Sequence, residues 1–143
     1  MRLLDIFKTG GGKPYITEKK FKHNLTRQVG LVPSTLKRLR QYGIARDNEL
    51  KLEFFFHSKS PDKIEALTAK LDQLNYHVEF GKAAACKNLF VIAGWTTNMK
   101  MDDQTLIHWT NKMCELGYKF DCDFDGFETP VLSRVNVAIP SYA

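Results

Sequence analysis

Cysteine is scarce in this chain: Cys86, Cys114 and Cys122 are the whole supply in 143 residues. They are odd in number and widely spaced, and no CxxC pair occurs. That pattern suggests neither a zinc knuckle nor a thioredoxin-type redox pair, and it predicts reduced, mostly buried thiols in a cytoplasmic protein. Proline and glycine are also few, at five and nine, which excludes a collagen-like or disordered chain. Long apolar runs are missing too. The longest, Leu89 to Trp95, falls far short of a membrane span. Met1 to Phe7 holds Arg2 and Asp5 and has no small-residue cleavage site, so it does not read as a secretory signal. The length predicts one domain with room for a terminal extension, and a chain this long buries roughly 68% of its unfolded surface without a metal or disulfide staple.

What the chain does have is charge, unevenly placed. Residues 1–49 hold 11 Lys+Arg and 4 Asp+Glu, a balance of +7, while residues 50–143 hold 10 and 12, a balance of −2. The excess belongs to the N-terminal third and would draw an acidic partner or nucleic acid to one end.

Residues 1–20 read as an arm or linker: a short amphipathic piece over residues 1–8, then a Gly-rich break over Thr9 to Pro14. Phe21, Leu25 and Val29 predict a short helix ending at Gly30. Pro33 then starts a new turn, and Ser34 caps a second, basic helix that carries Leu36, Leu39 and Tyr42 and that Gly43 ends. Residues 21–49 are therefore expected to be a basic helical extension, and residues 50–143 the main domain. Residues 50–57 alternate, with Leu50, Leu52, Phe54 and Phe56 on one face and Lys51, Glu53, Phe55 and His57 on the other, as in a half-buried strand. Ser60-Pro61-Asp62 opens a helix with its apolar stripe at Ile64, Leu67, Leu71 and Leu74. Tyr76 to Phe80 is a second strand. Leu89 to Thr96 is a third, apolar on both faces and so expected to be central. Asp102 or Asp103 caps a helix buried through Leu106, Trp109, Met113 and Leu116 and ended by Gly117. Phe120, Cys122 and Phe124 alternate with Asp121, Asp123 and Asp125 in a fourth strand, and Val131 to Ile139 is a candidate short edge strand. The order strand-helix-strand, strand-helix-strand predicts an α+β, ferredoxin-like split βαβ fold: an antiparallel sheet with two helices on one face and the other face available to water, a partner or the N-terminal segment.

Most motifs that suggest chemistry fail on spacing. Asp121-x-Asp123-x-Asp125-Gly126 begins like a calcium loop, but Leu132 stands where the bidentate Glu belongs. The three Asp read better as the wet face of a strand. Gly10-Gly11-Gly12-Lys13-Pro14 lacks phosphate-loop spacing and has Pro for Ser/Thr. His23, His57, His77 and His108 show no ligand spacing; His57 and His77 would meet only if their strands pair, and no third ligand is evident. No local signature suggests a catalytic set, a metal site or a cofactor. Leu89-Phe90-Val91 has some likeness to a short RNA-recognition signature, yet Lys87-Asn88-Leu89 does not supply the Gly of the longer signature expected on that strand. Lys19, Lys20 and Lys22, with Lys37, Arg38 and Arg40 on the basic helix, are the candidate phosphate-holding residues.

Two other motifs place large aromatics at element ends: Gly94-Trp95-Thr96, and Asp125-Gly126-Phe127-Glu128-Thr129-Pro130. Together with Glu53-Phe54-Phe55-Phe56 and Leu116-Gly117-Tyr118, they give residues 48–132 a resemblance to the regulator of ribonuclease E activity B (RraB) family. Phe127 stands where that family often has Trp. The resemblance implies a ferredoxin-like fold, no catalysis, no cofactor, and a protein partner such as a ribonuclease or an RNA-processing assembly. It carries over Gly94, Trp95, Asp125, Gly126, Phe127 and Glu128 as candidate protein-binding residues, with Trp95 and Phe127 expected to form one ridge. The namesake is strongly acidic, so inhibition that depends on an acidic surface is not expected of a chain that is basic at one end. Direct RNA binding through the basic extension, a homodimer joining open sheet faces, and an enzyme with a spatially assembled site are the alternatives.

Overall fold

The computed structural model describes residues 13–132. The expected amphipathic piece at residues 1–8 and the glycines at 10–12 lie outside that range, as does the expected edge strand from residue 133 onward. The elements are α1 (Glu18–Gln41), β1 (Glu49–Leu50), β2 (Glu53–Ser58), α2 (Pro61–Gln73), β3 (His77–Lys82), β4 (Phe90–Trp95), β5 (Met99–Lys100), α3 (Asp103–Lys119) and β6 (Asp123–Glu128). Four strands form an antiparallel sheet in the order β3-β4-β2-β6, and β1 pairs with β5 separately. The protein is therefore α+β, with helices beside an antiparallel sheet. β4 is an inner strand, as its two apolar faces predict.

Alternation sets the core. Leu52, Phe54 and Phe56 are fully buried, whereas Glu53, Phe55 and His57 between them are only half-buried. The buried side of the sheet meets Ile64, Leu67 and Leu71 of α2 and Leu106, Trp109 and Met113 of α3. Trp109 is the hub of an aromatic cluster. Its ring lies edge-on to Phe127 at 5.3 Å, Phe124 at 6.0 Å and Phe54 at 6.4 Å, and its Nε1–H donates to the Tyr76 hydroxyl at 3.2 Å.

Several expectations are corrected. Residues 21–42 do not form two short helices. One helix, capped by the Thr17 side chain, runs through Pro33 to Gln41. A proline inside a helix costs about 3 kcal/mol. Burial of Val32, Leu36 and Leu39 returns roughly 5 kcal/mol or more, so packing overrides the local break. Tyr42, expected on the apolar stripe, is the exposed C-cap, and Leu74 is exposed as well. The strand expected at 50–57 divides, because Leu50 pairs with Met99 while the main sheet begins at Glu53. His57 and His77 do not meet: β4 separates their strands, and they pair with opposite ends of it, at Val91 and Trp95. The chain enters a helical turn at Pro130 to Leu132, where the sequence suggests the start of a strand.

Gly117 does not end α3, which continues to Lys119. Its glycine identity comes from packing instead. A Cβ there would lie 2.6 Å from the Cys122 carbonyl oxygen and 3.0 Å from the Phe56 ring. Gly117→Ala is therefore expected to destabilise the protein by about 2 kcal/mol through overpacking, although alanine is the better helix former. Urea denaturation of both proteins checks this; an unchanged or raised midpoint contradicts it.

Candidate functional site

The two aromatic motifs divide cleanly into residues that build the fold and residues that face outward. In Gly94-Trp95-Thr96, a Cβ at Gly94 would sit 2.5 Å from the Phe54 ring and 2.9 Å from Val78, so this position faces the core and must be bare. Thr96 Oγ1 accepts the Leu52 N–H at 2.9 Å and donates to the Thr97 carbonyl at 2.7 Å, tying the end of β4 to the start of β2. Trp95 alternates to the opposite face and is half-buried.

In the second motif, Gly126 has φ +99° and sits at a bulge where the β2–β6 register shifts. A Cβ there would come within 3.2 Å of Gln28 Oε1, so the buried Gln28 side chain seals α1 against the bulge. Phe127 turns inward onto Trp109. Thr129 Oγ1 accepts the Leu132 N–H and starts the helical turn at Pro130 to Leu132. Asp125 and Glu128 are left exposed. Trp95 and Phe127 consequently lie on opposite sides of the sheet and do not form one ridge.

The open face is built from β2, β4 and β6 positions that the period of two turns outward. Phe55, Val91, Ala93 and Trp95 make an apolar strip of half-buried side chains. Carboxylates surround it. Glu53 lies directly opposite Trp95 on one side and Glu128 on the other. The Glu53 carboxyl is raised above its usual range, first by burial and then by repulsion from Glu128. Beside Phe55, a groove of about 430 Å³ runs between α1 and β6, walled by Arg27, Leu31 and Thr35 on the helix and by Asp125 to Glu128 on the strand.

One end of this face is locked to the N-terminal segment. Alternation puts Asp121 on the wet side of a strand, but its φ of +56° takes it out of the pleat and it is buried. Its carboxylate accepts the Ile16 N–H at 2.7 Å, the Tyr15 N–H at 2.8 Å and the Lys63 ammonium. Tyr15 is thereby laid against the sheet, its hydroxyl 2.7 Å from His57 Nδ1. Asp123 Oδ2 lies 3.3 Å from His57 Nε2, and Asn24 Nδ2 bonds both Asp123 and the Phe124 carbonyl on the edge of β6. The three aspartates therefore do separate work: Asp121 anchors, Asp123 pairs with His57, and Asp125 faces solvent. The Tyr15 hydroxyl is raised by burial and by neighbouring acids, which leaves it a hydrogen-bonding group rather than a nucleophile. Cys114 and Cys122 are buried thiols pushed up to about 12, chiefly by burial, and are inert for the same reason.

The basic candidates separate by role. Lys19 and Lys20 are exposed at the start of α1, and Lys22 is paired with Glu18 at 3.0 Å. Arg40 is used internally, donating to the Ile44 and Met101 carbonyls. Lys37 and Arg38 are exposed near the far end of the helix, about 27 Å from Lys20 at 1.5 Å rise per residue, so the six do not make one patch. Tyr15 and Asp121 carry no sequence signal for these contacts, because partners more than 100 residues apart leave no local pattern. Phe55 is legible from alternation alone.

These features define a small α+β domain that presents one face of an antiparallel sheet. Among the described residues no cluster of three potential metal ligands occurs, and no helix is long and apolar enough to cross a membrane. The model of one protein family, regulator of ribonuclease activity B, matches residues 33–129. The chain belongs to that family. No curated protein matches it.

His57 gives a pH test of the N-terminal lock. The Asp123 hydrogen bond raises its folded value above 6.5, against the smaller opposing effect of burial. The stabilisation is complete below that unfolded value and fades as pH rises through the folded value. The difference in urea midpoint between wild type and His57→Asn is expected to be larger at pH 5.5 than at pH 9. An equal difference at both contradicts the assignment.

Proposed function

We propose that this protein is a non-catalytic regulator that binds a ribonuclease, or an assembly containing one, through the open sheet face. Family membership over residues 33–129 carries the reading, since that span holds Phe55, Trp95, Asp125 and Glu128. The family's description is of a regulator of ribonuclease activity. The strand order β3-β4-β2-β6, with every neighbouring pair antiparallel, supports a ferredoxin-like arrangement for the sheet. Action in the cytoplasm, where reduced thiols persist, fits the three free cysteines.

The face suits a protein partner better than a small substrate. It has Trp95 and Phe55 as half-buried aromatic anchors and acids at the rim, the composition of a binding hot spot within a polar border. Glu53 and Glu128 stand directly opposite one another, and such like-charge pairs destabilise a sheet. A cationic side chain from the partner would relieve that repulsion. Net charge does not forbid this, because Glu53 and Glu128 stand together on the sheet while Lys19, Lys20, Lys22 and Lys37 sit on α1 and Lys59 and Lys63 around the start of α2.

The test is capture and inhibition of the host's ribonuclease E by the purified full-length chain, measured as slowed cleavage of an RNA substrate. The Trp95→Ala/Glu53→Lys double variant is expected to bind at least about tenfold more weakly, because an anchor and a rim charge are removed together. The fold is checked by its urea midpoint. Undiminished capture by a folded double variant would remove the face from the interface, and failure of the wild-type chain to bind or slow the nuclease would overturn the function.

A further inference from the structure

The N-terminal loop, α1 and the β2–α2 junction border an open pocket of about 450 Å³ that is separate from the groove beside Phe55. Lys13, Lys20, Lys59 and Lys63 line it together with Ser60, and Asp121 is the only carboxylate among the described residues of its wall. We propose that this pocket binds a phosphate group.

Its cations do not come from a single basic run. Lys13 precedes α1, Lys20 lies in its first turn, Lys59 sits in the loop after β2, and Lys63 is on α2. Folding brings them together, and four ammonium groups against one carboxylate leave a charge of +3 in the wall. Like charges gathered in this way repel unless an anion from solution enters. Part of the site is also fixed in advance. The Lys63 side chain is 14% exposed and paired with Asp121, which the Tyr15 and Ile16 N–H groups hold in turn. Lys13, Lys20 and Lys59 are exposed, and their long, rotatable stems can close on a ligand. Ser60 Oγ already accepts the Lys63 N–H, so the start of α2 is capped and the proposal rests on the lysines.

Phosphate fits this chemistry. It offers several strong acceptor oxygens at high negative charge density, and lysine binds it as a rotatable point charge. A second pocket shares Lys20 and continues along Lys19, His23 and Arg27, with Asp123 on its far side. That continuity gives a phosphodiester chain a path beyond the first phosphate, so the ligand is a phosphate ester, either terminal or within an RNA backbone.

The experiment uses the full-length chain in three arms. Inorganic phosphate is titrated while the backbone amide resonances of Lys59, Ser60, Asp62 and Lys63 are followed. A short single-stranded RNA is titrated by fluorescence anisotropy at low and moderate salt, with and without a 5′-phosphate. Both titrations are repeated with Lys20→Ala/Lys59→Ala and with the charge-matched Lys37→Ala/Lys112→Ala. The expected result is a saturable shift at those four amides and roughly tenfold weaker RNA binding for the pocket pair alone, its salt slope reduced by about 0.7 for each phosphate no longer held. Dependence on the 5′-phosphate assigns a terminal monoester, and independence assigns the backbone. Equal weakening by both pairs, or no saturable response in any arm, overturns the site. Nuclease capture by the pocket pair is read alongside; it is expected to be unchanged, so that this site and the sheet-face interface stand or fall separately.

Discussion

The buried carboxylate of Asp121 is the constraint on which the arrangement of this protein depends. It sits in the turn between α3 and β6 at positive φ, where it can reach both sides of the sheet's end. It takes two backbone N–H groups from the residues just before α1 and the ammonium of Lys63 from the start of α2. Three segments far apart in sequence are thus tied at one carboxylate. Breaking such a buried, hydrogen-bonded charge pair typically costs about 3–5 kcal/mol, a large share of the stability of a small domain. Because Asp121 fixes where α1 begins, it also fixes how Asn24 and Gln28 fall against β6. Those two side chains cover an edge strand that would otherwise offer unpaired backbone groups to another chain.

The same logic governs the family motifs. Gly94, Thr96, Gly126, Phe127 and Thr129 each answer a steric or hydrogen-bonding demand of the fold. Trp95, Asp125 and Glu128 point away from the core instead. A motif in this protein is therefore two motifs interleaved along the chain, one read by the fold and one by whatever meets the outer face. Phe127 falls on the interior side, against Trp109.

Much of this is legible in the sequence, for physical reasons that also explain what is not. Alternation in residues 52–57 and the Ser60-Pro61 start of α2 are local signals, and the structure follows both. Pro33 reads as a break because a peptide of that sequence would break there; burial of Val32, Leu36 and Leu39 against the rest of the protein reverses the outcome. Gly117 reads as a helix end because glycine usually marks one, whereas here the Cys122 carbonyl and the Phe56 ring leave no room for a methyl group. Asp121 follows the alternation of its neighbours in sequence, but a single positive φ removes it from the strand. Each difference has the same origin: a contact distant in sequence outweighs a preference expressed over a few residues.

Net charge fails as a guide for a related reason. A value of +5 describes the chain, while a partner meets one surface at a time. Physiological salt screens exposed charges over about 8 Å, less than the width of a four-stranded sheet with strands about 4.8 Å apart. Lysines on the outer side of α1 therefore do little to neutralise Glu53 and Glu128 for a molecule docking on β2 and β4. Asp123 and Asn24 stand between the two regions, one bound to His57 and the other to the edge of β6, so the boundary is built from groups already engaged with each other. A basic protein can on these terms present an acidic, aromatic face and a cationic pocket, each open to a different ligand without competition for the same charge.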